Sequence, residues 1–328
     1  MQHANEFVID KFQDHDVIFL GENHAIKENV DFVVNLIPEL AKNGILLLGM
    51  EFGAVEDQAK LDALVTAKTF DEQLARDLLY SYNVAFPYQE YMDIYRAVHS
   101  VNQTAKVPMR VLNLSYRYDW HEYKPPYTPI KKRRVFHRGD VDHFRFQVIK
   151  EEVLDKKAKI LVLTGTPHAL TRYQFIYKSN DWLGQLVYQV AKKRVYTIAL
   201  HEFERSLNGE YQPLDQYALE SKFVQEGHPI GVDLHEDPIG DVETYSKYAD
   251  GYNKLRLQDV FDGYIVVARL YDRTGCTIDY DFLNGKDYSD VLLHFPDPDW
   301  HVIPQNEEEY WRFVEDYVDL TTRKIGYL

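Results

Sequence analysis

One short run constrains the fold more than any other feature. Asp16-Val17-Ile18-Phe19-Leu20 is continuously apolar after its first residue, as expected of a strand covered on both faces. Gly21 ends it. Apolar side chains then recur at Ile26, Val30, Val33, Val34, Ile37 and Leu40, the stripe of an amphipathic helix. Gly44 closes that helix, and Ile45 to Met50 reads as a second buried strand delivering Glu51. Strand, helix and strand in that order form a βαβ unit, whose crossover is almost always right-handed.

The alternation continues. Met109 to Leu114, Lys159 to Thr164, Val195 to Leu200, Ile230 to Leu234 and Gly263 to Ala268 read as strands. Helical patterns occupy Ala54 to Leu79 (as one helix or two), Val141 to Lys156, Leu183 to Lys192, and a late segment carrying Tyr310, Phe313, Val314 and Tyr317. The expected fold is α/β: a mostly parallel sheet with helices on both faces, in one domain spanning residues 1–328. An insertion at Ser115 to Gly139 and a C-terminal extension from about residue 270 would decorate it. The insertion is rich in Tyr and Pro, a composition that resists regular structure and suits a lid or ordered loop. It ends in Lys131-Lys132-Arg133-Arg134, read as a solvated surface run, with a localisation signal or an anion site as alternatives.

Composition removes several functions. A 45% hydrophobic chain can build a sizeable core. A formal net charge of -15 opposes general nucleic-acid binding, which needs surplus Lys and Arg, and weakens any case for an anionic membrane. The single cysteine, Cys276, cannot form an internal disulfide, which suits the cytoplasm. No apolar run reaches the length of a membrane span. Gly-x-Ser-x-Gly, Walker, Gly-x-Gly-x-x-Gly and His-Glu-x-x-His motifs are absent and Cys276 has no evident base beside it, disfavouring serine hydrolases, NTPases, dinucleotide enzymes and cysteine hydrolases.

In parallel α/β sheets, ligands bind beyond the carboxyl ends of the strands. Just past those ends this sequence carries Glu22 and His24, then Glu51, Arg117, His168, His201 with Glu202, and Asp233 with His235 and Glu236. Two elements share a grammar. Gly21-Glu22-Asn23-His24 and Gly165-Thr166-Pro167-His168 each run strand, glycine, two residues, histidine, helix. Paired imidazoles with carboxylates nearby suit a divalent metal with an open position, or a general base held by a carboxylate. Glu51, ending an apolar strand, would need such a partner. Arg138, opening the next helix, could hold a substrate anion, stabilise an oxyanion or form a simple salt bridge. His143, His201 and His235 rank behind.

At these residues the chain resembles the superfamily of erythromycin esterases, Tiki/TraB proteins and ChaN-like haem-binding proteins. The resemblance rests on Leu20-Gly21-Glu22-Asn23-His24, on Glu51, on Arg138, on Val162 to His168 and on Val260 to Val266, in order over roughly residues 15 to 270. It implies the α/β fold of that superfamily with the two histidine motifs on facing loops. It also implies Glu22, His24, Glu51, Arg138 and His168 as the catalytic set.

Two functions are expected from this reading. The first is a hydrolase of an ester or amide bond in a small molecule or peptide. Its water would be activated by a divalent metal (Mn, Co or Zn) on His24, His168 and Glu51, or by His24 directly with Glu22 or Glu51 orienting it. The second is binding of haem or another iron compound with a Tyr or His axial ligand.

Overall fold

The computed structural model describes residues 1–172, 181–201, 203–205, 211–213, 216–242, 255–299 and 301–321. Its strands are β1 (Gln2–His3), β2 (Val17–Glu22), β3 (Leu47–Ala54), β4 (Arg110–Ser115), β5 (Ile160–Gly165), β6 (Val195–Leu200), β7 (Phe203–Arg205), β8 (Tyr211–Pro213), β9 (Ile230–Asp233) and β10 (Gly263–Val266). Eight of them form one sheet in the order β1-β9-β10-β6-β2-β5-β3-β4, and β7 pairs with β8 separately. From β4 through β10 the neighbours run parallel, whereas β9 is antiparallel to both β10 and β1. The expected mostly parallel α/β sheet is therefore present, with one reversed strand near its edge.

The helices are α1 (Ala4–Lys11), α2 (Lys27–Lys42), α3 (Gln58–Thr66), α4 (Glu72–Tyr82), α5 (Gln89–Asn102), α6 (Pro129–Val135), α7 (Val141–Ile149), α8 (Thr166–Ala169), α9 (Leu183–Ala191) and α10 (Gln216–Glu226), followed by Leu257–Val260, Tyr288–His294 and Glu307–Val318. Alternation along β2 shows how both faces are covered. Ile18 and Leu20 enter the core built with α1 to α5, while Val17 and Phe19 enter the opposite core with α7 and α9. Each such fully buried side chain contributes roughly 1.5–3 kcal/mol. The sequence pattern from Ala54 to Leu79 resolves into α3 and α4, and Val141 to Lys156 becomes α7 followed by a π-turn over Lys150–Leu154.

Helix α5 lies outside the helices expected from sequence. Its buried side is Glu90, Tyr91, Met92, Ile94, Tyr95, Val98 and His99, a stripe in which tyrosines and polar residues mask the helical period. The insertion also has more order than its composition suggests. Trp120, Tyr123 and Val135 form a small core with Tyr118 and Phe136 packed against it. Pro129 occupies the first turn of α6, where a missing N–H costs nothing, and the Thr128 hydroxyl accepts from the Lys131 N–H at 3.3 Å. The Lys124 ammonium donates to the Leu293 carbonyl at 3.1 Å, and the Tyr123 hydroxyl donates to Asp299 at 2.9 Å, tying the insertion to the C-terminal segment.

Candidate functional site

Strands β2, β5 and β3 are adjacent and parallel, so their carboxyl ends converge. Glu22 sits level with Gly165 across the β2–β5 pairing. Register shifts between Met50 and Ala54 of β3, a local irregularity that releases Glu51 from the regular alternation. Gly165 gives the site room: a Cβ there would lie 2.9 Å from Nε2 of His24, which would have to shift, and 3.7 Å from Cδ2 of His168. Both imidazoles therefore flank the same backbone position, His24 tightly and His168 at ordinary contact distance. Gly21 likewise allows α8 close to β2, since its Cβ would lie 3.2 Å from the Thr166 Cα.

Around that point lies a chain of alternating charge. His24 Nδ1 is 3.1 Å from Glu22 Oε1, and its Nε2 is 3.1 Å from Glu51 Oε1. Glu51 Oε2 accepts from the Gly165 N–H at 3.2 Å, from the Thr164 hydroxyl, and from the Arg145 guanidinium at 3.4 Å. The same Arg145 nitrogen is 3.5 Å from Asp142 Oδ1, which lies 2.7 Å from His168 Nδ1. Arg145 Nε donates to the Ser115 hydroxyl at 3.0 Å, and that hydroxyl donates to the Glu51 carbonyl at 2.9 Å. Glu22 is fixed from the other face by the Tyr91 hydroxyl, which donates to Oε1 at 2.8 Å. The sequence His24–Glu51–Arg145–Asp142–His168 thus links the two imidazoles through one guanidinium.

Burial sets the protonation states. Glu22, Glu51, Asp142 and Arg145 are each under 5% exposed, so these charges persist only by compensating one another. Burial alone would raise Glu51, but Arg145, then His24 and His168, hold its carboxyl well below the usual range. Burial alone would lower His24, yet Glu51 and Glu22 outweigh it and push its pKa up to about 9. His24 is therefore an imidazolium at neutral pH, with both nitrogens directed at carboxylates, and is poorly suited to accept a proton. Burial raises the Glu22 carboxyl, opposed by His24 and Tyr91, and its Oε2 is buried without a hydrogen-bond partner among the described residues.

His168 differs. With Asp142 accepting from Nδ1, the other ring nitrogen carries the lone pair. Nε2 has no protein partner among the described residues. The side chain is about one quarter exposed and lines a cavity of about 560 Å³ with Pro129, Lys132, Arg133, Phe136 and Val141. The wall of that cavity is thus largely the insertion and the start of α7.

The remaining expectations fare unevenly. Arg138 does not reach the cluster: its guanidinium pairs with Glu56 at 2.9 Å and stacks 4.3 Å from the Phe144 ring. Arg145, two helical turns further on, occupies the buried position instead. Asp142 and Arg145 lie three residues apart on the buried face of α7 with Ile149, and nothing in the sequence separates them from the exposed polar residues of that helix. Arg117 pairs with Asp57 at 2.6 Å, and the exposed His143 pairs with Asp140 at 3.2 Å. His201 is fully buried between the Tyr264 hydroxyl and Glu220, a core histidine, and Glu202 lies outside the described residues. Asp233, His235 and Glu236 follow β9, whose reversed direction carries them to the opposite edge of the sheet. There Asp233 pairs with Lys11 and His235 with Asp262.

A metal on His24, His168 and Glu51 does not fit this arrangement. Among the described residues no group of three or more His, Cys, Asp or Glu side chains is disposed to hold an ion. Both nitrogens of His24 and both oxygens of Glu51 are already engaged within the protein. Among the described residues, no helix is long and apolar enough to cross a membrane.

Residues 8–130 match the family described as haem-binding uptake, Tiki superfamily, ChaN. No curated protein matches the sequence significantly. Among solved structures, the chain is similar to an erythromycin esterase, EreC, in its open conformation, at 10% identity and a TM-score of 0.55 over 80% of this chain and 92% of that one. A succinoglycan biosynthesis protein aligns at 13% identity with a TM-score of 0.54, over 80% of this chain and 89% of that one. A Bacillus cereus protein aligns at 12% identity with a TM-score of 0.53, over 80% and 90%. The chain has the fold of that erythromycin esterase, and residues 8–130 match the family described as haem-binding uptake, Tiki superfamily, ChaN.

Proposed function

We propose that the chain hydrolyses an ester or amide bond in a small molecule or peptide, with His168 as general base and His24 as a fixed cation. The observation that carries the reading is the unlike treatment of two imidazoles beside one glycine. His24 is clamped between two carboxylates, whereas His168 is held at Nδ1 only. This reverses the sequence-based expectation, in which His24 activates water.

In the reaction, Nε2 of His168 removes a proton from water as the water oxygen bonds to the scissile carbonyl carbon. Asp142 keeps the imidazole in the required tautomer and balances the charge it gains. His24, with both nitrogens engaged by Glu22 and Glu51, offers no N–H to the carbonyl oxygen; it is a positioning residue that fixes Glu51 beside the Gly165 backbone. Collapse breaks the bond to the leaving group, which takes the proton back from His168.

A screen of 4-nitrophenyl esters and anilides tests this. Turnover by the wild type should fall by about 10²–10⁴ in His168→Gln, the usual worth of a positioned base. A variant as active as the wild type overturns the assignment. Haem binding is a second reading, favoured by the description of the matching family and by an imidazole whose far nitrogen is carboxylate-held on a cavity wall. There His168 would hold the iron and Arg133 would face the carboxylates of the porphyrin. A Soret band on adding hemin, lost in His168→Ala, would favour that reading, and its absence would remove it.

A further inference from the structure

The basic tetrad at residues 131–134 is accounted for side chain by side chain, with one exception. The Lys131 ammonium donates to the Lys124 carbonyl at 2.8 Å. Lys132 is paired with Asp299 at 2.6 Å, and Arg134 with Glu122 at 3.3 Å. Arg133 has no carboxylate or carbonyl partner among the described residues, yet it lines the cavity that His168 also lines. A solvated run would leave all four cations comparably free; here three are spent locally and the fourth borders the site.

Two acids share that wall, and both are engaged by groups of α7 and its surroundings. Asp140 accepts from the backbone N–H groups of Asp142 and His143, each at 3.1 Å, and lies beside the His143 ring. Asp142 is held between Arg145 and His168. Arg133 is thus the cation on this wall that no carboxylate among the described residues pairs with, and beside it stand the apolar surfaces of Pro129, Phe136 and Val141. A guanidinium fork matches a carboxylate or phosphate in two-point contact, and apolar walls want an apolar body.

We infer that this cavity binds amphiphilic organic anions, a carboxylate or phosphate attached to an apolar body, with Arg133 selecting the anionic group. The inference names the substrate class of the proposed hydrolase and rests on that reading for its catalytic meaning, but binding itself requires no turnover. An anion held at Arg133 leaves the apolar remainder of the ligand over Phe136 and Val141, on the way to His168.

Equilibrium binding of octanoate, octyl phosphate, octanol and octylamine, measured on the full chain, tests it. Both anions should bind more tightly than octanol, and octylamine more weakly. Arg133→Gln should reduce the octanoate-to-octanol affinity ratio about tenfold, as expected for a lost charge-assisted contact. Arg134→Gln, which removes a cation paired outside the cavity, should leave that ratio unchanged. The tighter of the two anions identifies the preferred headgroup. Octylamine binding as well as octanoate, failure of both anions to bind, or an unaltered ratio in Arg133→Gln each overturns the inference. Arg133-dependent binding without hydrolysis of any ester would leave the anion site standing while removing the hydrolase.

Discussion

Arg145→Met should destabilise the protein by about 3–5 kcal/mol at neutral pH, the cost of removing one partner from a buried ion pair. Arg145 is 4% exposed, and its guanidinium faces the buried carboxylates of Glu51 and Asp142 as well as the Ser115 hydroxyl. Methionine fills similar volume but offers no positive charge, so both acids lose their shared cation. Against a total stability of roughly 5–15 kcal/mol, that loss is large. The sign of its pH dependence follows from Glu51. In the wild type its folded pKa is depressed, so its contribution is present above the unfolded carboxylate pKa of about 4.3 and is lost as the pH falls through the folded value. Without Arg145, burial pushes the carboxyl upward. The gap between wild type and variant is therefore widest at neutral pH and closes as acid protonates the variant's carboxyl. Urea unfolding at pH 7 and pH 4.5 measures both stabilities. Adding Glu51→Gln to Arg145→Met should restore part of the loss, giving a coupling of about 1–3 kcal/mol in the double-mutant cycle. A loss below about 1 kcal/mol, or one independent of pH, refutes the bridging role.

The other expectations can be checked in the same preparations. The folded pKa of His24, at about 9, lies above its ordinary value of about 6.5, so its contribution is complete below pH 6.5 and disappears as the pH rises through 9. Wild-type stability should decline across that window, and His24→Gln should flatten the decline; parallel curves would count against a clamped imidazolium. Gly165→Ala places a methyl group 2.9 Å from His24 Nε2, which should cost about 1–3 kcal/mol and displace the ring. Turnover should fall with it, and a variant of wild-type stability would show that the His24 ring does not crowd this position.

Much of this architecture was legible because apolar runs report buried parallel strands directly. Val17 to Leu20 and Ile160 to Leu163 stand out at once, and the glycine after each marks where the chain leaves the sheet. The two histidine motifs follow from that punctuation. What stayed hidden had physical reasons. Ile230 to Leu234 reads as a strand like the others, and nothing in so short a run encodes direction, so the reversal that carries the acids after β9 to the opposite end of the sheet is invisible in sequence. Arg138 drew notice by opening a helix, whereas Arg145 sits within it; only burial, which sequence does not print, separates the exposed guanidinium from the one that bridges Glu51 and Asp142. Tyr91 was one tyrosine in a tyrosine-rich stretch. Its hydroxyl meets Glu22 only once α5 has packed across the sheet.

The division of labour between the imidazoles is best tested by nitrogen-15 spectra of the histidine rings, with His24→Gln and His168→Gln used for assignment. The account predicts a His24 ring protonated at both nitrogens at pH 7.5 and titrating near 9, beside a His168 ring whose proton resides on Nδ1. A His24 ring carrying a free lone pair at pH 7.5, or a His168 proton on Nε2, would contradict it.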